Sequence, residues 1–149
     1  MKTFLVPVDF SPVTEKVIDS AMAFARAFGG QVVLLHIVQA PIVATAEYAL
    51  PAEVVQEAVT VSRLASAQKL SAYTELFQKA GIACTNETLV GAPVPLIRET
   101  AGRCHAHFVI IGSHGHGKLY DFLVGSTASG VLRKTRCGVI IIPPLEPNN

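Results

Sequence analysis

The stretch GSHGHGKLYDFLVGST, Gly112 to Thr127, decides how the rest of the chain is read. It leaves an intensely apolar run, HFVIIG (His107–Gly112), with the composition of a strand buried on both faces. It ends at Gly125-Ser126-Thr127, a helix start with two hydroxyls available. A strand, a glycine-punctuated loop and a helix in that order suit an anion. Glycine admits positive φ and close approach of a ligand to the backbone. Successive exposed N–H groups form an anion-binding concavity, and the first turn of the next helix adds free N–H groups at its positive end. The first half almost spells the phosphate loop G-x-x-x-x-G-K-[ST]. Gly112, Gly117 and Lys118 fit, but Leu119 stands where a hydroxyl should hold magnesium. Lys118 also leads into YDFLV and a further glycine rather than a helix, and only one strand remains to supply a metal-binding acid. The phosphate-loop reading is therefore disfavoured, and the better helix start lies at Gly125-Ser126-Thr127.

Working outward, Phe4–Val8 reads as a buried first strand, and Ser11-Pro12 as the cap and first position of a helix. Val13, Val17, Ala21, Phe24 and Phe28 give that helix one apolar face, and Gly29-Gly30 ends it. Val32–Val38 is a second apolar strand. The following QAPIVATAEYALPAE reads as a loop. From about Ala52 to Ala80 the pattern is helical, with Val54, Ala58, Val61, Ala65, Ala72 and Leu76 on one stripe and Gly81 closing it. Ile82–Val90 alternates weakly, as a strand near an edge does. A short helix follows from Gly91–Pro95 to near Cys104, then the HFVIIG strand, a helix from about Ser126 to Thr135, and GVIII as the fifth strand. Strictly alternating strands and helices predict an α/β domain with a parallel sheet and helices on both faces. Two strand orders are common, 2-1-3-4-5 and 3-2-1-4-5. Ligands of such sheets bind beyond the C-terminal strand ends where the order reverses. The second order sets Asp9 beside Gly112.

Composition excludes several classes. The 149 residues suggest one domain, half are apolar, and 15% are charged, which suits a packed core and not a disordered chain. The formal net charge of +1 comes without a dense basic run, so nucleic acid is not an expected partner. No segment reaches the roughly 18 apolar residues of a membrane span. The apolar run after Met1-Lys2-Thr3 is interrupted at Asp9, too soon for a secretory segment. The three cysteines, Cys84, Cys104 and Cys137, are widely spaced and odd in number, which reads as reduced, mostly buried thiols in a cytoplasmic protein.

Bland readings compete for several residues. Asp9 could cap the turn before the first helix. His105, His107, His114 and His116 invite a metal, yet no acidic or cysteine cluster accompanies them, and they read as surface histidines. His36 reads as a packed strand residue. Lys118, Arg133, Lys134 and Arg136 read mainly as solvated helix charges, with Lys118 the best candidate for a phosphate.

With LVPVDFS (Leu5–Ser11) at the first strand, LLHIV (Leu34–Val38) at the second, and G-x2-G-x9-G-[ST] complete as Gly112, Gly115, Gly125 and Ser126, the chain resembles the universal stress protein family from about Lys2 to Pro143. The resemblance implies a single Rossmann-like, doubly wound domain with a five-stranded parallel sheet in the order 3-2-1-4-5. It also implies the glycine-motif branch, which binds adenine nucleotide: ATP, or AMP or ADP, with any magnesium or manganese carried by the nucleotide. Pro7, Val8 and Asp9 would then hold adenosine and Val38 would lie near the adenine. Gly112, Ser113, His114 and Gly115 would pass along the ribose and phosphates, and Gly125, Ser126 and Thr127 would donate to phosphate oxygens. A stress-response or signalling role, binding with at most slow ATP hydrolysis, and a homodimer through the strand-five edge, Val139–Ile142, are the matching expectations. Two residues depart from the family pattern: His107 stands where Asp is frequent, and Gly130 lies inside the last helix at a cost of about 1 kcal/mol relative to Ala.

Overall fold

A computed structural model describes residues 1–40, 50–114 and 124–144. The elements run β1 (Thr3–Pro7), α1 (Thr14–Phe28), β2 (Gln31–Val38), α2 (Ala52–Lys79), β3 (Cys84–Val90), α3 (Pro93–Arg103), β4 (Phe108–Gly112), α4 (Ser126–Lys134) and β5 (Gly138–Ile142). They form one sheet in the order β3-β2-β1-β4-β5, parallel at every pairing. Because β1 pairs with both β2 and β4, the order 2-1-3-4-5 is excluded, and the reversal point lies between β1 and β4.

The strands carry apolar side chains on both sides because helices cover both faces. All five residues of β1 are buried. Phe4 and Val6 join Val32, Leu34 and Ile110 against α1 and α2. Leu5 joins Leu35, Val109 and Ile111 against α3 and α4. At the start of the sheet, the Thr3 N–H donates to Nδ1 of His107 (3.1 Å), while the His107 N–H donates to the Thr3 carbonyl (2.9 Å). The side chain that replaces the family's usual acid thus still accepts a hydrogen bond there.

Several local expectations are corrected. Helix α1 begins at Thr14 rather than at Pro12. The Thr14 N–H donates to the Ser11 carbonyl in a tight turn (3.0 Å), and the Ser11 hydroxyl caps nothing. Gly29, at φ 61°, ends the helix as expected. On α2 the expected apolar stripe is out of phase. Ser66, Leu70, Thr74 and Phe77 are the buried positions, whereas Val54, Val61 and Leu76 are 45%, 62% and 48% exposed. Gly130 has a packing reason: a Cβ there would stand 2.7 Å from Cγ2 of Val94, so its absence lets α4 lie close on α3. Of the cysteines, which are all free, Cys84 is buried but Cys104 and Cys137 are only half-buried. Among the described residues no helix is long and apolar enough to cross a membrane.

Candidate functional site

The C-terminal ends of β1 and β4 part at the reversal point, and a cleft of about 640 Å³ opens there. It is lined by Pro7, Val8 and Asp9 at and just beyond the end of β1, and by Ile111, Gly112, Ser113 and His114 at and just beyond the end of β4. Leu35 and Ile37 of β2, with Gln39 just after it, form one wall. The starts of three helices complete it: Thr14 of α1, Ala92–Pro95 at α3, and Gly125–Ala128 at α4. Of the residues expected at a ligand, Pro7, Val8, Asp9, Gly112, Ser113, His114, Gly125, Ser126 and Thr127 are brought together here; Gly115 lies outside the described residues, as do His116, Gly117, Lys118 and the segment 41–49.

Val38 is placed elsewhere. It is buried, and it is not one of the residues that line the cleft; the neighbouring Ile37 lines it instead. Successive strand residues point to opposite faces, so one step of phase moves a side chain across the sheet. Reading outward from Leu35 in steps of two gives Ile37 and Gln39 and would have found both. The apolar wall Pro93-Val94-Pro95 carried no sequence signal for a site beyond its helix-start character.

At the end of β1 the geometry is tightly specified. Asp9 Oδ1 accepts the Ser11 N–H (3.0 Å), so the carboxylate forms the turn that was its bland reading and also lines the cleft. Phe10 follows at φ 58°, a left-handed backbone that costs a bulky residue energy and marks a constrained bend. The bend is held from both sides. The Phe10 ring lies 4.5 Å from that of His36, and Nζ of Lys69 stands 4.9 Å above it. His36 Nδ1, as its N–H form, donates to the Val8 carbonyl (2.8 Å), tying the last residues of β1 to β2.

The glycines do something other than supply positive φ. Neither Gly112 nor Gly125 adopts it; Gly125 sits at φ −56°. A Cβ on Gly112 would lie 2.7 Å from Cγ1 of Val13, so this glycine lets α1 approach the end of β4. The Gly125 N–H donates to the Ser113 carbonyl (2.6 Å), and a Cβ would come within 2.9 Å of that oxygen. The Ser113 N–H in turn donates to the Ile142 carbonyl (2.8 Å). Gly112 and Gly125 therefore pinch the two ends of the glycine segment together and set α4 at the mouth of the cleft.

Electrostatically the two helix starts differ. Neither α3 nor α4 has an acidic residue in its first turn or a side chain capping its N-terminus. Pro93 and Pro95 remove donors from the α3 start and leave an apolar surface. The α4 start keeps the N–H groups of Ser126 and Thr127, with no acidic residue in its own first turn, at the positive end of the helix. This donor set fits a phosphate. Among the described residues, no group of three His, Cys, Asp or Glu side chains is placed to hold a metal ion.

Comparison with known proteins agrees with this architecture. The model of the universal stress protein family matches residues 1–143. Universal stress protein A homolog 1 of Coxiella burnetii is 26% identical over 143 residues, 95% of either chain. The solved universal stress protein UspA of Lactobacillus plantarum superposes with a TM-score of 0.83 at 21% identity, covering 95% of this chain and 97% of that one. A universal stress protein of Archaeoglobus fulgidus, solved in complex with dAMP, superposes with a TM-score of 0.64 at 22% identity, covering 95% and 98%. With the family match spanning nearly its whole length, the chain belongs to the universal stress protein family.

Proposed function

We propose that the chain binds an adenine nucleotide, ATP or its mono- or diphosphate, in the cleft between β1 and β4. The observation that carries this reading is the start of α4: a helix N-terminus with no side-chain cap and no acidic residue in its first turn, lining the cleft at the sheet's reversal point. The related Archaeoglobus fulgidus protein, solved with dAMP, adds support. The asymmetry of the walls orients the ligand. Phosphates belong at Gly125, Ser126 and Thr127, where donors and positive potential converge. The base belongs against Ile37 and the apolar Pro93–Pro95 wall. The ribose then falls near Asp9 and Gly112. A divalent ion, where present, travels with the phosphates.

The Asp9 carboxylate is engaged in the turn to Ser11, which favours a positioning role over that of a base, so the site is read as binding with at most slow hydrolysis. Nucleotide acts by favouring one conformation or assembly state, which requires differential affinity for the two. The assembly is a homodimer through β5, which pairs with β4 on one side only and carries Val139, Ile140 and Ile141 at half-buried positions. A cytoplasmic signalling or stress-response role follows from this reading. Mass spectrometry of small molecules released from freshly purified protein, with calorimetric titration of ATP, AMP and ADP, tests it. Co-purified or tightly bound adenine nucleotide is expected. A dimer that binds none of the three would make the chain an interaction module instead.

A further inference from the structure

Two thiols pack on one core cluster at the end of the sheet opposite the cleft. Cys104 ends α3, and Cys137 immediately precedes β5. The chain leaves α3 through a tight reversal. The Cys104 N–H donates to the Thr100 carbonyl (2.9 Å), the Ala106 N–H to the Ala101 carbonyl (2.9 Å), and His105 takes a left-handed backbone at φ 50°. Cys104 packs against the core cluster that holds Val109 and Ile111 of β4. In the neighbouring strand Gly138 is the partner of Phe108, and its N–H donates to the His107 carbonyl (3.1 Å), which brings Cys137 alongside His107. Cys137 packs with Val139 and Ile141 on the face that α3 covers. Both cysteines pack on the rim of that one core cluster, and both are half-buried. Cys84 belongs to the cluster on the other face and is buried. Burial holds the Cys104 thiol above its ordinary range, and the nearby Cys137 pushes it the same way, consistent with two sulfurs sharing one environment.

We propose that Cys104 and Cys137 form a reversible intramolecular disulfide on exposure to a peroxide, a redox-sensitive site separate from the nucleotide cleft. One thiolate attacks the peroxide O–O bond, gaining a hydroxyl as a sulfenic acid, and the departing oxygen leaves as water. The second sulfur attacks the sulfenic sulfur, the S–O bond breaks, and a second water leaves. Two thiols and one hydrogen peroxide thus give one disulfide and two waters. The bond joins the last turn of α3 to the start of β5, and the ring it closes contains β4 and α4. Closing so long a loop restrains the unfolded chain, so the oxidised protein melts at a higher temperature.

The test uses the full wild-type chain, oxidised with a small excess of hydrogen peroxide, alkylated under denaturing conditions, and examined by intact mass and non-reducing peptide mapping. The expected result is a monomer-sized species lighter by two hydrogens before alkylation, one alkylated cysteine (Cys84), a Cys104–Cys137 cross-linked peptide, reversal by dithiothreitol, and a raised melting temperature. Three alkylated cysteines, cross-links between chains, a bond involving Cys84, or only sulfinic and sulfonic acids would overturn the proposal. Cys104→Ser and Cys137→Ser should each abolish the cross-link, but the peptide map decides the matter on unmodified protein. The readout is the thiols alone, so failure here leaves the nucleotide reading untouched.

Discussion

Gly130 illustrates how much a single missing methyl can specify. In a solvent-facing helix, Gly→Ala gains up to about 1 kcal/mol. Here the new Cβ meets Val94 at 2.7 Å, and α3 and α4 must separate to admit it. Gly130→Ala should therefore lower unfolding free energy by about 1–3 kcal/mol in urea titrations, the usual cost of overpacking; a gain would show that the contact yields freely. Cys84 supplies a pH signature. Burial raises its thiol from 9.0 to about 11. Between those values the unfolded chain ionises while the folded one keeps its proton. The stabilisation is therefore complete below about pH 9 and lost as pH rises through about 11, amounting to roughly 2–3 kcal/mol. Tyr73 behaves in the same sense. Its hydroxyl donates to Glu15, and burial first, then that carboxylate, raises it to about 12. Stability measured from pH 8 to 11 should fall for the wild type and fall less for Cys84→Ala; identical slopes would remove Cys84 as a cause.

At the scale of elements, the sequence was most legible where pattern and burial coincide. The apolar runs at β1, β2, β4 and β5, the glycine after α1 and the weak alternation of the edge strand β3 each declared themselves. Phase was harder. On β2 apolar residues stand on both faces, so composition does not mark which side meets the cleft, and the expectation fell on Val38 where Ile37 lines it. Helix α2 carries two apolar stripes one residue apart. The richer one, with Val54, Val61 and Leu76, faces outward, while Ser66 and Thr74 go in. Thr74 is accommodated by local hydrogen bonds: its hydroxyl donates to the Leu70 carbonyl and accepts from Asn86. Residue type alone could not reveal that arrangement, because it depends on β3 lying alongside. This phase predicts that Leu70→Ala costs about 2–5 kcal/mol. Val61→Ser should stay within about 0.5 kcal/mol. Equal losses in thermal or urea denaturation would return the helix to its sequence-based phase.

The whole molecule is a device for placing three helix starts around one gap in a parallel sheet. The order β3-β2-β1-β4-β5 opens the gap, and Gly112 and Gly125 allow α1 and α4 to close in on it. The glycine spacing signalled the site, but it did not reveal that two of its glycines serve packing, because the contacting atoms, Val13 and the Ser113 carbonyl, come from other parts of the chain or its backbone. Among the described residues β5 pairs only with β4, which extends the same logic to assembly. Light scattering at micromolar concentration should give twice the mass of one chain, and a monomer would refute the strand-five dimer. The central claim is that nucleotide phosphates sit at the start of α4, and Ser126→Asp addresses it most directly. A carboxylate in the first turn complements the helix dipole, so the variant should melt no lower than wild type. The same charge would repel phosphate. Calorimetric titration with ATP should show affinity weakened by at least about tenfold, or about 1.4 kcal/mol; wild-type affinity in a fully folded Ser126→Asp protein would contradict the account.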